Sequence, residues 1–184
     1  MNTQDLHDLV WRYRDELAEW WPTPPIDHAL AFAVTEAGEA IDAWLRTFPE
    51  YARNNDKHHE ELDEWADCAM MLVTALGRFH TRQSRNADKM DRMTIVVHIS
   101  KAAYYAERVD SSAKSISTFS ASFALAGIIW FLGGHENAHA RIDTRLRRIA
   151  KKVTPVARQG VFDPAYHSRS TGYTGSEEAA EEAE

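Results

Sequence analysis

The segment VTEAGEAIDAWLR, residues 34–46, sets Glu36 and Glu39 three apart among small and large apolar residues. On a helix that spacing puts both carboxylates on one face, one turn apart. A second pair, Glu64 and Asp67 in EELDEWADCAMML, repeats the spacing and is followed by the uncharged run CAMMLV. Spacing alone says little. A chain with 28 acids in 184 residues yields on the order of four such pairs by chance, and Asp5/Asp8 and Glu16/Glu19 are others. The context is more informative. At about 100° per residue, Leu30, Val34, Ile41 and Leu45 make one apolar face of the first acidic helix. Glu36 and Glu39 lie roughly opposite, beside Ala29, Phe32, Ala40 and Ala43, which reads as a second packed face. On the next acidic helix Leu62, Ala66, Ala69 and Val73 form the core stripe, and Glu60, Glu64, Asp67 and Met71 share the other side. Paired antiparallel, the two helices bring Glu36, Glu39, Glu64 and Asp67 into one cleft.

Four carboxylates in a partly buried cleft repel one another, and their burial without compensation costs several kcal/mol. Protonation, pairing with bases, or divalent cations can relieve this. Few Lys or Arg lie within a turn on those faces, and oxygen ligands without His or Cys suit Mg²⁺, with Mn²⁺ as substitute. Because Mg²⁺ keeps several waters and works with substrate phosphates, the pattern implies a phosphate-bearing ligand. A solvent-facing acidic groove without metal is the alternative.

The elements that must position these acids read as helix after helix: about 3–21 with Thr3 as cap, Asp27-capped to about 48, then 57–81, 87–109, 115–132 and 135–153. Pro22–Pro25, Pro49, the serines at 111, 112 and 115, Gly133-Gly134 and Pro155 mark the breaks. No alternating strand pattern appears, so the expected fold is an all-α bundle of five to six helices over residues 1–155. The extension 156–184 is polar and acidic, and from about 168 its composition predicts disorder. The pairs around 27–81 and 94–132 echo each other weakly, with Lys101 opposite Glu36 and Tyr104 opposite Glu39.

Composition narrows the partners. The net charge of −7 argues against nucleic acid and anionic membranes. No apolar run near the roughly 18 residues of a membrane span is seen, nor a secretory leader. One cysteine, Cys68, excludes an internal disulfide and fits a reducing cytoplasm.

The combination EAGE at 36–39 with EWAD at 64–67, inside ALAFAVTEAGEAIDAWLR and EELDEWADCAMML, resembles the ExxE…ExxD signature of the all-α nucleoside triphosphate pyrophosphohydrolases, the MazG-like superfamily. The likeness covers residues 27–80; the second half matches only as further helices. It implies Mg²⁺ held by Glu36, Glu39, Glu64 and Asp67, and hydrolysis of a nucleoside triphosphate, expected to be a deoxynucleotide, to the monophosphate and pyrophosphate. It also implies a homodimer or homotetramer. Six tryptophans and many alanine-rich faces agree, being much for one small bundle to hide. Thr35 stands where such sequences often carry another acid. The phosphate-contacting helix is best matched by Lys101, with Tyr104 beside it; Arg145 and Arg148 are alternatives. A base could stack on Trp11, Trp20, Trp21 or Trp44, or these could be packing residues.

A competing pattern is HENAH, with His135, Glu136 and His139 in the H-E-x-x-H spacing of a zinc hydrolase. It falls at a helix start after two glycines, and a third ligand would have to come from His167 or an acid of the tail. An exposed first turn, with Glu136 near the positive helix end, is the plainer reading. A non-enzymatic helical protein whose acidic groove binds a basic partner is the third.

Overall fold

The computed structural model describes residues 2–51, 60–78 and 90–154; the extension 156–184 lies outside them. Among the described residues there are six helices and no strand: α1 (Thr3–Glu16), α2 (Ile26–Leu45), α3 (Glu61–Leu76), α4 (Arg92–Ala106), α5 (Ser111–Phe131) and α6 (His135–Val153). The all-α expectation is met.

Several boundaries differ from the sequence reading, each for a local reason. α1 is capped by Asn2, whose side chain accepts from the Gln4 and Asp5 amides while Asp5 accepts from the Asn2 amide. Thr3 is therefore the first helical residue. The helix stops at Glu16, not 21, because Leu17 is anchored in the core and accepts from the Trp20 and Trp21 amides. That turn folds Trp21 back onto the Arg14 guanidinium, 3.5 Å from ring centroid to Cζ. α2 follows Pro25, with Asp27 inside the first turn as a charge on the helix dipole rather than the cap. α5 begins four residues earlier than expected, because Asp110 accepts from the Ala113 amide and draws the serines into the helix.

α2 and α3 pack as an antiparallel pair. Ala33 O accepts from Cys68 Sγ at 3.3 Å, and Glu36 meets Glu64, so numbers rise along one helix as they fall along the other. The contact face of α2 is Ala29, Leu30, Ala33, Ala37 and Ala40. Here the sequence reading is corrected: Val34 is exposed, and Ile41 and Leu45 are only part-buried. Of the four bulky residues only Leu30 lies fully on the core side of α2; the alanines make up the rest of it. α4 and α5 form a second antiparallel pair, tied where Ser117 Oγ donates to Ala102 O at 2.8 Å and where the His98 and Phe123 rings meet. The pairs pack together through α2 on α4 and α3 on α5. α1 and α6 run side by side, joined by Thr3 to His135 and Tyr13 to Asp143, and close over α3.

The 21-residue α5 is long and apolar enough, by length and composition, to cross a membrane. The search for an unbroken apolar run overlooks it because its polar residues are mostly hydroxyls with one charge, Lys114. Its buried face, from Ala113 through Ile129, packs into the bundle.

The alanine seam sets how closely α2 approaches α3. Ala37→Leu forces extra volume into it, and we expect a loss of about 1–3 kcal/mol in urea unfolding. An unchanged midpoint would show that the helices are not in close contact there.

Candidate metal centre

The N-cap Glu60 and the first two turns of α3, with Glu61, Asp63, Glu64 and Asp67, are rich in acid, and the fold sorts those acids by partner. Glu60 faces Arg141 at 3.5 Å. Glu61 accepts from Trp65 Nε1 at 3.0 Å and from Arg92 Nη2 at 3.0 Å. Asp63 gathers three arginines of α6: Arg141 at 2.8 Å, Arg148 at 3.2 Å and Arg145 at 3.4 Å. Glu64 and Asp67 point instead toward α2.

There, one carboxylate oxygen each from Glu36, Glu64 and Asp67 lies within 4.8 Å of the others. Glu64 is 2% exposed, and its partners are half-buried. Asp67 is gripped by Arg145, with Nε to Oδ1 at 2.9 Å and a second contact from Nη2 to Oδ2. Arg145 thus offsets one charge of the group, which the sequence reading, seeing few bases on these faces, did not foresee. Its own pKa rises, first through that hydrogen bond. Even so, burial keeps the Asp67 carboxyl above its ordinary range. Glu36 is pushed up to about 8, first by burial, then by the charges of Asp67, Glu39 and Glu64, and by a hydrogen bond with Glu64. In the metal-free protein a proton does part of the work a cation could do.

Glu39 stands one turn along α2, exposed, and borders a cavity of about 290 Å³ with Asp42, Ala43 and Arg46. Its charge reaches Glu36, but its oxygens are not among the three that converge. Lys101 and Tyr104 lie exposed on α4. Tyr104 is engaged by Arg108 and Tyr105, and neither residue borders the cavities at the acid group.

Residues of this group border two cavities. One, of about 900 Å³, is polar: Glu64, Glu60 and Asp63 of α3 face Arg141, Arg145 and Arg148 of α6. The other, of about 420 Å³, is bordered by Glu36 and Asp67 together with Trp21, Phe32, Met70, Met71 and Arg14. Of the tryptophans considered for a base, Trp21 is the one at this wall. Trp11 lies under Arg78, and Trp44 under Arg92.

The donor set fits a hard divalent cation. All donors are carboxylate oxygens. Around Mg²⁺ at ~2.1 Å, ligand oxygens sit roughly 3–4 Å apart, so the group needs only a small side-chain adjustment. The H-E-x-x-H residues gather no such set. His135 hydrogen-bonds Thr3 at 3.2 Å in the first turn of α6, Glu136 is exposed, and no third ligand joins His139 among the described residues. His167 lies outside them.

Arg14 and Asp63 are the residues that sequence reasoning missed. Arg14 was open to discovery, since 7, 10, 14 and 17 follow helical spacing and all are buried. Comparison with known proteins adds nothing to this geometry: no family model, no curated protein and no solved structure matches the chain.

The raised Glu36 has a consequence for stability. A carboxyl whose pKa is higher folded than unfolded binds the extra proton in the folded state, so metal-free stability falls as pH rises from about 4.5 to about 8. Glu36→Gln should flatten that slope in chelator-treated protein unfolded by urea at successive pH values. A slope equal to wild type would show that Glu36 does not titrate in this way.

Proposed function

We propose that the chain is a Mg²⁺-dependent nucleoside triphosphate pyrophosphohydrolase, acting on a deoxynucleotide and releasing the monophosphate and pyrophosphate. The observation that carries the reading is the position of the Glu36–Glu64–Asp67 group, which borders a polar cavity holding Arg141, Arg145 and Arg148 through Glu64 and a largely apolar one through Glu36 and Asp67. A nucleoside triphosphate has the same polarity along its length. Its β- and γ-phosphates suit the Arg141, Arg145 and Arg148 side, its base suits the apolar side, and its α-phosphorus falls between them. The EAGE and EWAD resemblance points the same way.

In this reading Glu36, Glu64 and Asp67 hold the cation, and Glu39 lends negative charge from the next turn. When bound, Mg²⁺ supplies positive charge to the phosphate oxygens and lowers the pKa of a coordinated water. The α6 arginines orient the leaving pyrophosphate through forked N–H groups. Asp63, shared among all three, keeps those side chains extended toward the cavity. The apolar wall excludes water from the nucleoside side, which strengthens the electrostatics at the acid group.

A homo-oligomer belongs to the same proposal. Met93, Val97 and Tyr104 make an exposed stripe along α4, and Phe119 and Trp130 another along α5; such patches mark association surfaces. Lys101 lies on the α4 stripe, so its role and that of Tyr104 as substrate contacts are tied to the assembly rather than to this chain's own cavities.

The test is incubation with a panel of NTPs and dNTPs plus Mg²⁺, scoring pyrophosphate. Mn²⁺ should substitute, and chelation should stop release. No pyrophosphate from any nucleotide at high enzyme concentration would sink the reading. Glu64→Gln should lower kcat by at least about a hundredfold with the helical circular dichroism retained. Glu39→Gln should lower it less, and an equal loss would make Glu39 a ligand of the same rank.

A further inference from the structure

Arg14 is an unusual residue to find in the interior. It sits on α1 at 1% exposure, on the wall of the apolar cavity. Among the described residues no carboxylate forms an ion pair with it. Trp21 covers one face of the guanidinium. Its Nη1 donates to Pro22 O at a long 3.4 Å, its Nη2 reaches Met71 Sδ at 3.9 Å, and its Nε–H has no hydrogen-bond partner among the described residues. Burial alone lowers its pKa to about 10. For packing alone a methionine of similar length would serve without burying a charge. The residue makes physical sense if something that enters the cavity accepts its hydrogen bonds.

The lining restricts what that is. Trp21, Phe32, Met70, Met71 and Ile149 cannot replace the hydration of a phosphate, but they suit the faces of a flat ring. Arginine has five N–H donors and no acceptor. It therefore rewards a ring edge carrying a carbonyl oxygen and gains nothing from an amino group. Guanine, cytosine, uracil and thymine each carry a ring carbonyl; adenine presents an amino group beside its ring nitrogens.

We propose that Arg14 is the base-reading residue of this site: the apolar cavity takes a carbonyl-bearing nucleobase, whose oxygen accepts from the Arg14 guanidinium, and disfavours adenine. The inference rests on the pyrophosphohydrolase reading for the position of the phosphates, but not for the recognition of the ring. Glu36 and Asp67 border the same cavity, so a base held by Arg14 leaves its sugar and α-phosphate directed at the acid group. Selection follows from desolvation. A carbonyl base offers the fork an oxygen with two lone pairs, whereas adenine at its N1 or N7 edge offers one ring nitrogen beside the N6 amino donor, so part of the buried fork stays unmet.

The test uses the full chain with Mg²⁺ and compares kcat/KM for dATP, dGTP, dCTP, dTTP and dUTP. Wild type should favour at least one carbonyl-bearing nucleotide over dATP by about tenfold to a hundredfold, the discrimination expected of a good arginine–base contact. Arg14→Met should collapse that ratio roughly tenfold or more, and Arg14→Lys should leave part of it. A wild-type enzyme that takes dATP as well as the rest overturns the proposal, and so does an Arg14→Met enzyme that keeps the ratio. Should Arg14→Met fail to fold, the wild-type panel and Arg14→Lys decide by the same criteria. If no nucleotide yields pyrophosphate, the enzymatic reading fails separately, and binding of dGMP, dCMP, dUMP and dAMP, followed by tryptophan fluorescence, takes over. Arg14-dependent preference for a carbonyl base then upholds the inference, and its absence overturns it.

Discussion

Repulsion among carboxylates held close together is the interaction around which the rest of this protein is arranged. α2 and α3 approach through Ala29, Ala33, Ala37 and Ala40 on one side and Ala66, Cys68 and Ala69 on the other, all buried. Side chains this short let the backbones come near, so residues flanking the seam cannot avoid one another. Glu36, Glu64 and Asp67 flank it. Their proximity is therefore a property of the packing and persists whatever occupies the site. Among the described residues, Arg145 relieves Asp67, and burial with the neighbouring charges raises the Glu36 pKa, so that a proton shared toward Glu64 eases the rest.

The remaining acids of α3 show what full relief looks like. Glu61 has Arg92 and the Trp65 indole, while Asp63 has three α6 arginines. Within two turns of one helix, some carboxylates are thus satisfied by bases from α4 and α6 and others face one another. Surface acids arranged for solubility would not divide in this way. The division also explains why α6 is needed. It carries Arg141, Arg145 and Arg148 at three- and four-residue spacing, so one face of it presents a fork-shaped cationic edge to the polar cavity. Asp63 holds that edge in place, with Glu60 beside Arg141 and Asp67 on Arg145, so the arginines stand fixed among carboxylates at the polar cavity.

How much of this the sequence disclosed depends on the range of the interactions. Helix number and the near-exact α6 follow from local signals, namely periodicity, prolines and the Gly133-Gly134 break. The acid pairs were visible because their spacing and their apolar neighbours are local too. The inward face of α2 was misjudged because a wheel weighted toward Leu, Val and Ile finds the bulky side, whereas in a tight two-helix seam the smallest residues mark the closest approach. Asp67 with Arg145 spans 78 residues, and no periodicity within either helix announces that pairing. The early end of α1 depends on Leu17 reaching the core and on Trp21 turning back over Arg14, which only the assembled bundle decides.

Arg14 and Glu36 border one cavity, a buried cation and a half-buried acid, and no ion pair joins them among the described residues. A fold shaped for stability alone would bring the two together, or replace both with apolar groups, since each is costly to bury alone. Leaving them unpaired puts two unlike demands in one space. One calls for hydrogen-bond acceptors against an apolar surface, the other for positive charge beside carboxylates. The proposed nucleotide with its cation would meet both at once, with the ring at Arg14 and the cation held by the acid group that includes Glu36. Local rules of satisfaction are strained at both residues, and such breaches gather at functional sites rather than in structural cores.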